Sequence, residues 1–266
     1  MVPTGLPPPR GVCAAFGVSE VMPLSGGQGA TFTSGEAVLK PVIDEREAEW
    51  LASVLDALPR LDDLRVIRPV AAVDGRWVVD GWAAFEYLEG SERPGDWRAV
   101  LDVSNRFHAL VASVPWSPVL DRDHVWAIGD AFAWGERQLP VPPPFEAAFE
   151  RLRSQQDPVA EVCQLVHGDL CNNILFHDDL PPAVIDISPF WRPKRYADAI
   201  AVIDAIGWFG ANGDALVPFS DPVGRQLLVR AVLFRLGSAL VLVADDEDRL
   251  AREVAAYERV LDALEM

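Results

Sequence analysis

Apolar positions along the chain change their period several times, and each change marks an element. From Val21 to Val42, "VMPLSGGQGATFTSGEAVLKPV", they fall in short β-type runs broken by glycines, which predicts a meander of hairpins. The next stretch, "DEREAEWLASVLDAL" (44–58), places Leu51, Val54, Leu55 and Leu58 at helical spacing, opens on acids that suit a helix N-terminus and stops before Pro59. "RVIRPVAAVDG" and "RWVVDGWAAFEYLEG" return to β character and read as two strands joined by a turn at Asp74-Gly75. A short helix over 10–16 precedes this run, after a proline-rich entry.

From Asp96 onward the period is helical: 97–114, 123–138, 145–153, 196–209, 224–244 and 247–264. In the last of these Leu250, Val254, Tyr257, Leu261 and Leu264 form one apolar stripe. The β-like interruption runs from Leu165 to Ile187. The pattern predicts an α+β chain in two lobes, a small β-rich one over 1–90 and a larger, mainly helical one over 91–266.

Composition supports a folded chain: half of the 266 residues are hydrophobic. Forty acidic against 23 basic residues give a net charge of −17, which disfavours nucleic acid and anionic membrane as partners. The same field suits either a cationic small molecule or plain solvation of the surface. The stretch "AVLFRLGSALVLVA" (231–244) carries Arg235 at its middle and reads as a buried helix rather than a membrane span. Three cysteines without a CxxC pair and a start without a secretory signal lead to the expectation of a cytoplasmic protein.

Candidate chemistry gathers in a few places. Gly26, Gly27 and Gly29 in "SGGQGATF" form either a tight hairpin turn or a backbone cradle for an anion. Lys40 shares a strand face with Val38, opposite Leu39, and needs a partner unless it snorkels at an edge. Glu47 lies on the buried stripe of the 44–58 helix and is the expected partner, whereas Glu49, on a face with Ser53 and Asp56, points to solvent. In "LVHGDLCNNILF" and "AVIDISPF", Asp169, Asn172, Asn173 and Asp186 supply the hard oxygen donors that Mg²⁺ prefers. Taken with Lys40, Glu47 and the glycines, they make up the parts needed for phosphoryl transfer.

Together, "GGQG", "VLK", "REAEWL", "FEYLEG", "RFHAL" and "HGDLCNNIL…AVID" make the chain resemble the aminoglycoside phosphotransferases, small-molecule kinases of protein-kinase-like fold with choline-kinase-like relatives. The resemblance implies an ATP-dependent enzyme. It implies that Lys40, held by Glu47, contacts the ATP phosphates, with Gly26, Gly27 and Gly29 above them. It further implies Asp169 as catalytic base, Asn173 and Asp186 as Mg²⁺ ligands, and a hinge at Glu86, Tyr87 and Leu88 that meets the adenine. The acceptor expected is a small molecule, cationic or amino-sugar-like.

The sequence departs from the family pattern at three points. Three residues separate Asp169 from Asn173 where the family has four; Phe32 stands where a third loop glycine belongs; and "DISPFWRPKRYADA" lacks the protein-kinase motifs that follow the metal-binding Asp. The shortened loop motivates an alternative, a catalytically silent nucleotide-binding regulator. A metal-dependent phosphohydrolase built on His167, Asp169 and Asp186 is a third reading. Asp198, Asp204, Asp214 and Asp221 are candidates either for receiving an amine or for capping and solvation.

Overall fold

A computed structural model of the chain describes residues 5–24, 30–243 and 246–265. In chain order the elements are α1 (Arg10–Ala15), β1 (Met22–Pro23), β2 (Phe32–Thr33), β3 (Ala37–Pro41), α2 (Glu45–Ala57), β4 (Arg65–Val66), β5 (Pro69–Val70), β6 (Val78–Val79), β7 (Trp82–Glu86) and β8 (Ser91–Glu92). They continue with α3 (Trp97–Val111), α4 (Val125–Ala133), α5 (Glu146–Ser154), β9 (Cys163–His167), β10 (Ile174–Phe176), β11 (Ala183–Val184), β12 (Pro189–Pro193), α6 (Lys194–Phe209), α7 (Pro222–Leu242) and α8 (Glu247–Glu265). The chain forms two compact units, one of Met1–Ser91 with Leu175–Asp186, the other of Glu92–Ile174 with Ile187–Met266. The sequence pattern suggested one break near residue 90. Residues 175–186 join the first unit because β11 pairs in parallel with β4, Ala183 opposite Arg65 and Val184 opposite Val66.

The first unit is a sheet in the order β1-β2-β3-β7-β5, with β6 also on β7. Leu39 and Ala37 of β3 point into a core with Val12, Phe16, Phe32, Val79, Trp82 and Ala84, so the alternate residues Val38 and Lys40 face the other way. Phe32 meets Trp82 edge to face at 6.1 Å, which makes this residue a core anchor rather than part of a phosphate loop. Gly26, Gly27 and Gly29 lie outside the described residues; the strands that flank them pair antiparallel, Pro23 opposite Phe32.

Two local expectations change. "WVVDGWAAF" is a hairpin, not one strand: Asp80 (φ 49°) and Gly81 (φ 77°) form a two-residue loop with Val79 opposite Trp82, the geometry that an Asp-Gly pair favours. Helix α2 starts among the acids that the sequence set at its N-terminus, and Asp44 caps it, accepting from the N–H groups of Arg46 and Glu47. Glu49, however, turns inward and accepts the Val78 N–H at 2.9 Å, because the start of β6 offers a backbone donor beside the helix.

In the second unit α6 and α7 are buried nearly all round, which is why their sequences show apolar runs rather than stripes. A strand missed by the sequence pattern, β12, pairs antiparallel with β9 over five positions, from Pro189 opposite His167 to Pro193 opposite Cys163. Its two prolines and Arg192 disguise it. Among the described residues no helix is long and apolar enough to cross a membrane.

Helices α4 and α7 approach closely at Gly129, where a Cβ would stand 2.1 Å from Ser238 Oγ, 2.8 Å from Ser238 N and 2.9 Å from the Phe234 carbonyl oxygen. Two of these neighbours are backbone and cannot rotate away. Gly129→Ala is therefore expected to destabilise the protein by about 1–3 kcal/mol in urea unfolding, although alanine is the better helix former by about 1 kcal/mol. An alanine variant as stable as the parent would refute this packing.

Candidate active site

In the first unit the β3–β7 register sets Lys40 opposite Ala83, on the face away from the core. Its ammonium lies 4.9 Å from the centroid of the Phe85 ring and forms an ion pair with Asp186 Oδ1. Asp186 follows β11 and holds a left-handed backbone (φ 48°), which a non-glycine residue adopts at a cost and aspartate tolerates better than most. The structure thus brings together two predicted site residues 146 positions apart. Glu47 is half-buried in the first turn of α2.

At the end of β7, Glu86 donates its N–H to the Arg68 carbonyl and Tyr87 to that of Glu36, both at 2.8 Å. The Glu86 carboxylate accepts from Arg60. Of the three residues predicted to meet the adenine, Glu86 and Tyr87 thus have their N–H groups committed inside the unit.

In the second unit the loop 168–173 leaves β9 under tight constraint. Gly168 packs against Phe190, whose ring atoms would lie 2.5 Å and 2.6 Å from a Cβ at that position. The Gly168 N–H donates to the Ser188 carbonyl at 2.9 Å. His167, fully buried, accepts the N–H of Asp169 on Nδ1 at 3.1 Å and that of Ser188 at 3.4 Å, so it braces the loop backbone. Its own N–H is accepted by Nε2 of His108 on α3 at 3.1 Å.

His108 Nδ1 lies 2.9 Å from the Ser104 carbonyl, and the Ser104 hydroxyl donates to Asp198 at 2.6 Å. This network assigns His108 as a neutral imidazole with its proton on Nδ1. Burial, with His167 and Lys194 nearby, pushes its pKa down to about 3.

Asn173 donates its side-chain amide to the Asp169 carbonyl at 2.6 Å and faces Asp169 Oδ2 at 3.3 Å. Asn172 is exposed. The shortened loop therefore still folds its second asparagine back onto the aspartate, and an amide that donates through Nδ2 turns its oxygen the other way. Asp169 Oδ1 accepts from Arg235 of α7 at 2.6 Å. Among the described residues no three His, Cys, Asp or Glu side chains gather as a metal cage.

Three of the four acids considered for an amine are paired with cations. Asp204 is buried and paired with Arg235; Asp198 is buried and paired with Lys194 at 2.6 Å. Asp221 caps α7 and pairs with Arg195, and the latter interaction, the larger of the two, holds its carboxyl down at about 2. Arg192 is bound by Asp130 and Glu136 over the face of Trp134. Trp208 is half-exposed and donates its indole N–H to Tyr257. Sequence reasoning missed Arg235, Ser104 and His108; the arginine inside an otherwise apolar helix was the available signal.

Neutral His108 makes a pH prediction. Unfolded, it takes a proton near pH 6.5; folded, only near pH 3, so the unfolded state binds more protons in that window and stability rises with pH across it. Unfolding free energies measured between pH 4.5 and 6.5 should fall with acidification more steeply in the parent than in His108→Gln, by up to about 1.4 kcal/mol per pH unit. Equal slopes would mean that the imidazole is not held neutral.

No protein-family model and no curated protein matches the chain. Among solved structures it is similar to the aminoglycoside phosphotransferase APH(4)-Ia, at 18% identity over 96% of this chain and 97% of that one, with a TM-score of 0.64. It is also similar to APH(2")-IIia in complex with GDP and kanamycin, at 16% identity, 93% and 95% coverage and a TM-score of 0.61. Spectinomycin phosphotransferase APH(9)-Ia, solved with ADP and spectinomycin, matches at 16% identity, 92% and 87% coverage and 0.52. The chain has the α+β, kinase-like fold of the aminoglycoside phosphotransferases.

Proposed function

We propose that the protein belongs with the aminoglycoside phosphotransferases in chemistry as well as fold, and transfers the γ-phosphoryl group of ATP to a hydroxyl of a small molecule. The observation that carries this reading is the ion pair between Lys40 and Asp186, which joins the strand lysine to the "AVID" acid 146 positions away, as a site built on these two residues requires. The fold's solved neighbours, crystallised with ADP or GDP and an antibiotic, support it.

In this reading Lys40 binds the α- and β-phosphates with support from Glu47, and Gly26, Gly27 and Gly29 donate backbone N–H groups to them. Glu86, Tyr87 and Leu88 meet the adenine, Leu88 through its backbone. Asp169 orients the acceptor hydroxyl and accepts its proton as the oxygen bonds to the γ-phosphorus and the bond to ADP breaks, leaving a phosphate ester. Asn173 and Asp186 would hold Mg²⁺; an amide oxygen and a carboxylate are hard donors that suit a cation which takes its remaining ligands from phosphates and water. When bound, the ion supplies neutralisation of phosphate charge. The chain's own share is positioning, which a loose phosphoryl transition state chiefly demands.

Calorimetric titration with ATP and Mg²⁺, followed by an acceptor panel of amino sugars and other hydroxylated amines, tests the proposal. Asp169→Asn is expected to lose about 10²–10⁴-fold in kcat while nucleotide affinity stays within a few-fold. Lys40→Met is expected to weaken nucleotide binding itself. Absence of nucleotide binding by the parent protein would overturn the reading, and binding without turnover of any acceptor would favour a silent regulator.

A further inference from the structure

Arg235 sits at the middle of α7 with its side chain 12% exposed. Its Nε lies 3.1 Å from both carboxylate oxygens of Asp204 on α6, and its Nη2 reaches Asp204 as well. Asp204 Oδ1 also accepts the hydroxyl of Tyr257 on α8 at 3.0 Å, and that hydroxyl accepts the Trp208 indole N–H at 2.9 Å. Three helices thus fix the guanidinium before the catalytic loop is considered. Charge balance is already met, because a bidentate carboxylate suffices to neutralise a buried arginine.

Arg235 nevertheless makes one more bond, from Nη2 to Asp169 Oδ1 at 2.6 Å. Asp169 does not need that bond in order to be tolerated by the fold, since its side chain is 45% exposed. Its other oxygen, Oδ2, faces the amide of Asn173. Both rotatable bonds of the aspartate are therefore set from two directions, by a guanidinium anchored in helices and by an amide of the same loop. The residues between Asp169 and Asn173 are Leu170, Cys171 and Asn172, so the loop carries no cation of its own.

We infer that Arg235 is the positioning residue for Asp169: by holding Oδ1 it presents the Oδ2 edge of the carboxylate to the acceptor hydroxyl, with Asp204 and Tyr257 setting the arginine. The inference rests on the proposed role of Asp169 as base. Asp204, on this view, acts on the reaction through two ion pairs and touches no substrate.

Two variants test it. Arg235→Lys keeps the charge and loses the fork; Arg235→Met combined with Asp204→Leu removes both buried charges together, so that neither is left unpaired. Each is measured for thermal unfolding, for ATP·Mg²⁺ affinity by calorimetry, and for kcat and KM with the acceptor the panel identifies, or with ATP hydrolysis where only water accepts. Positioning predicts a clear thermal transition, ATP affinity and KM within about twofold of the parent, and kcat lower by about 10–100-fold.

A folded double variant with the parent's kcat overturns the inference and leaves the function of Asp169 standing. Should the double variant lose its thermal transition, Arg235→Lys decides alone: undiminished kcat overturns, diminished kcat with unchanged KM supports. A parent protein that turns over neither acceptor nor water removes the proposed function, and this inference with it.

Discussion

A buried turn must find acceptors for its own backbone N–H groups, and in this protein two neutral imidazoles supply them. His167 accepts from Asp169 and Ser188; His108 accepts from His167; Ser104 and Asp198 complete the chain toward α6. An unpaired buried N–H costs about 1–3 kcal/mol, so the histidines do more than fill space. Protonated, neither ring nitrogen could accept, and the turn that presents Asp169 would lose its backing. The position of the aspartate is thus tied to the charge state of two residues that never need to touch a substrate.

Charge is handled by the same logic of fixed partners. Asp198, Asp204 and Asp130 are all buried, and burial raises each carboxyl's pKa against the pull of a cation beside it: Lys194, Arg235 and Arg192 respectively. Each pair joins different segments of the second unit or successive turns of one helix. Removing one partner alone would strand the other, which is the expensive case, whereas the intact pairs are close to neutral for stability. Such pairs specify geometry, and the pairs that involve α6 lie immediately behind the loop of Asp169.

Much of this was legible in the sequence, for identifiable reasons. Helix α2 declared itself through apolar spacing, the acids at its start and Pro59, and the alternation of Val38, Leu39 and Lys40 gave the facing of β3 correctly. The "HGDLCNNIL…AVID" string picked out Asp169, Asn173 and Asp186, and two contacts now link predicted residues within their own units. The rest lay beyond local pattern. Strand β12 contains two prolines around Phe190, Trp191 and Arg192, a stretch that reads as a turn, and only its pairing with β9 defines it. Glu49 followed the helical wheel to solvent until a backbone donor from β6 drew it in. Arg235 was visible as a charge out of place, but its partners lie 31 and 66 positions away, a separation that no periodicity spans.

The brevity of the interval after Asp186 has a bearing on control. Only Ile187 and Ser188 separate that acid from β12, which is hydrogen-bonded to β9 along its whole length and runs directly into α6. Enzymes that are switched by covalent modification commonly do so through a long segment at this point, disordered in one state and docked in the other. Here that stretch is already part of a ladder, with no slack to be taken up or released. Any rearrangement at this point would first have to break the five-position pairing of β12 with β9.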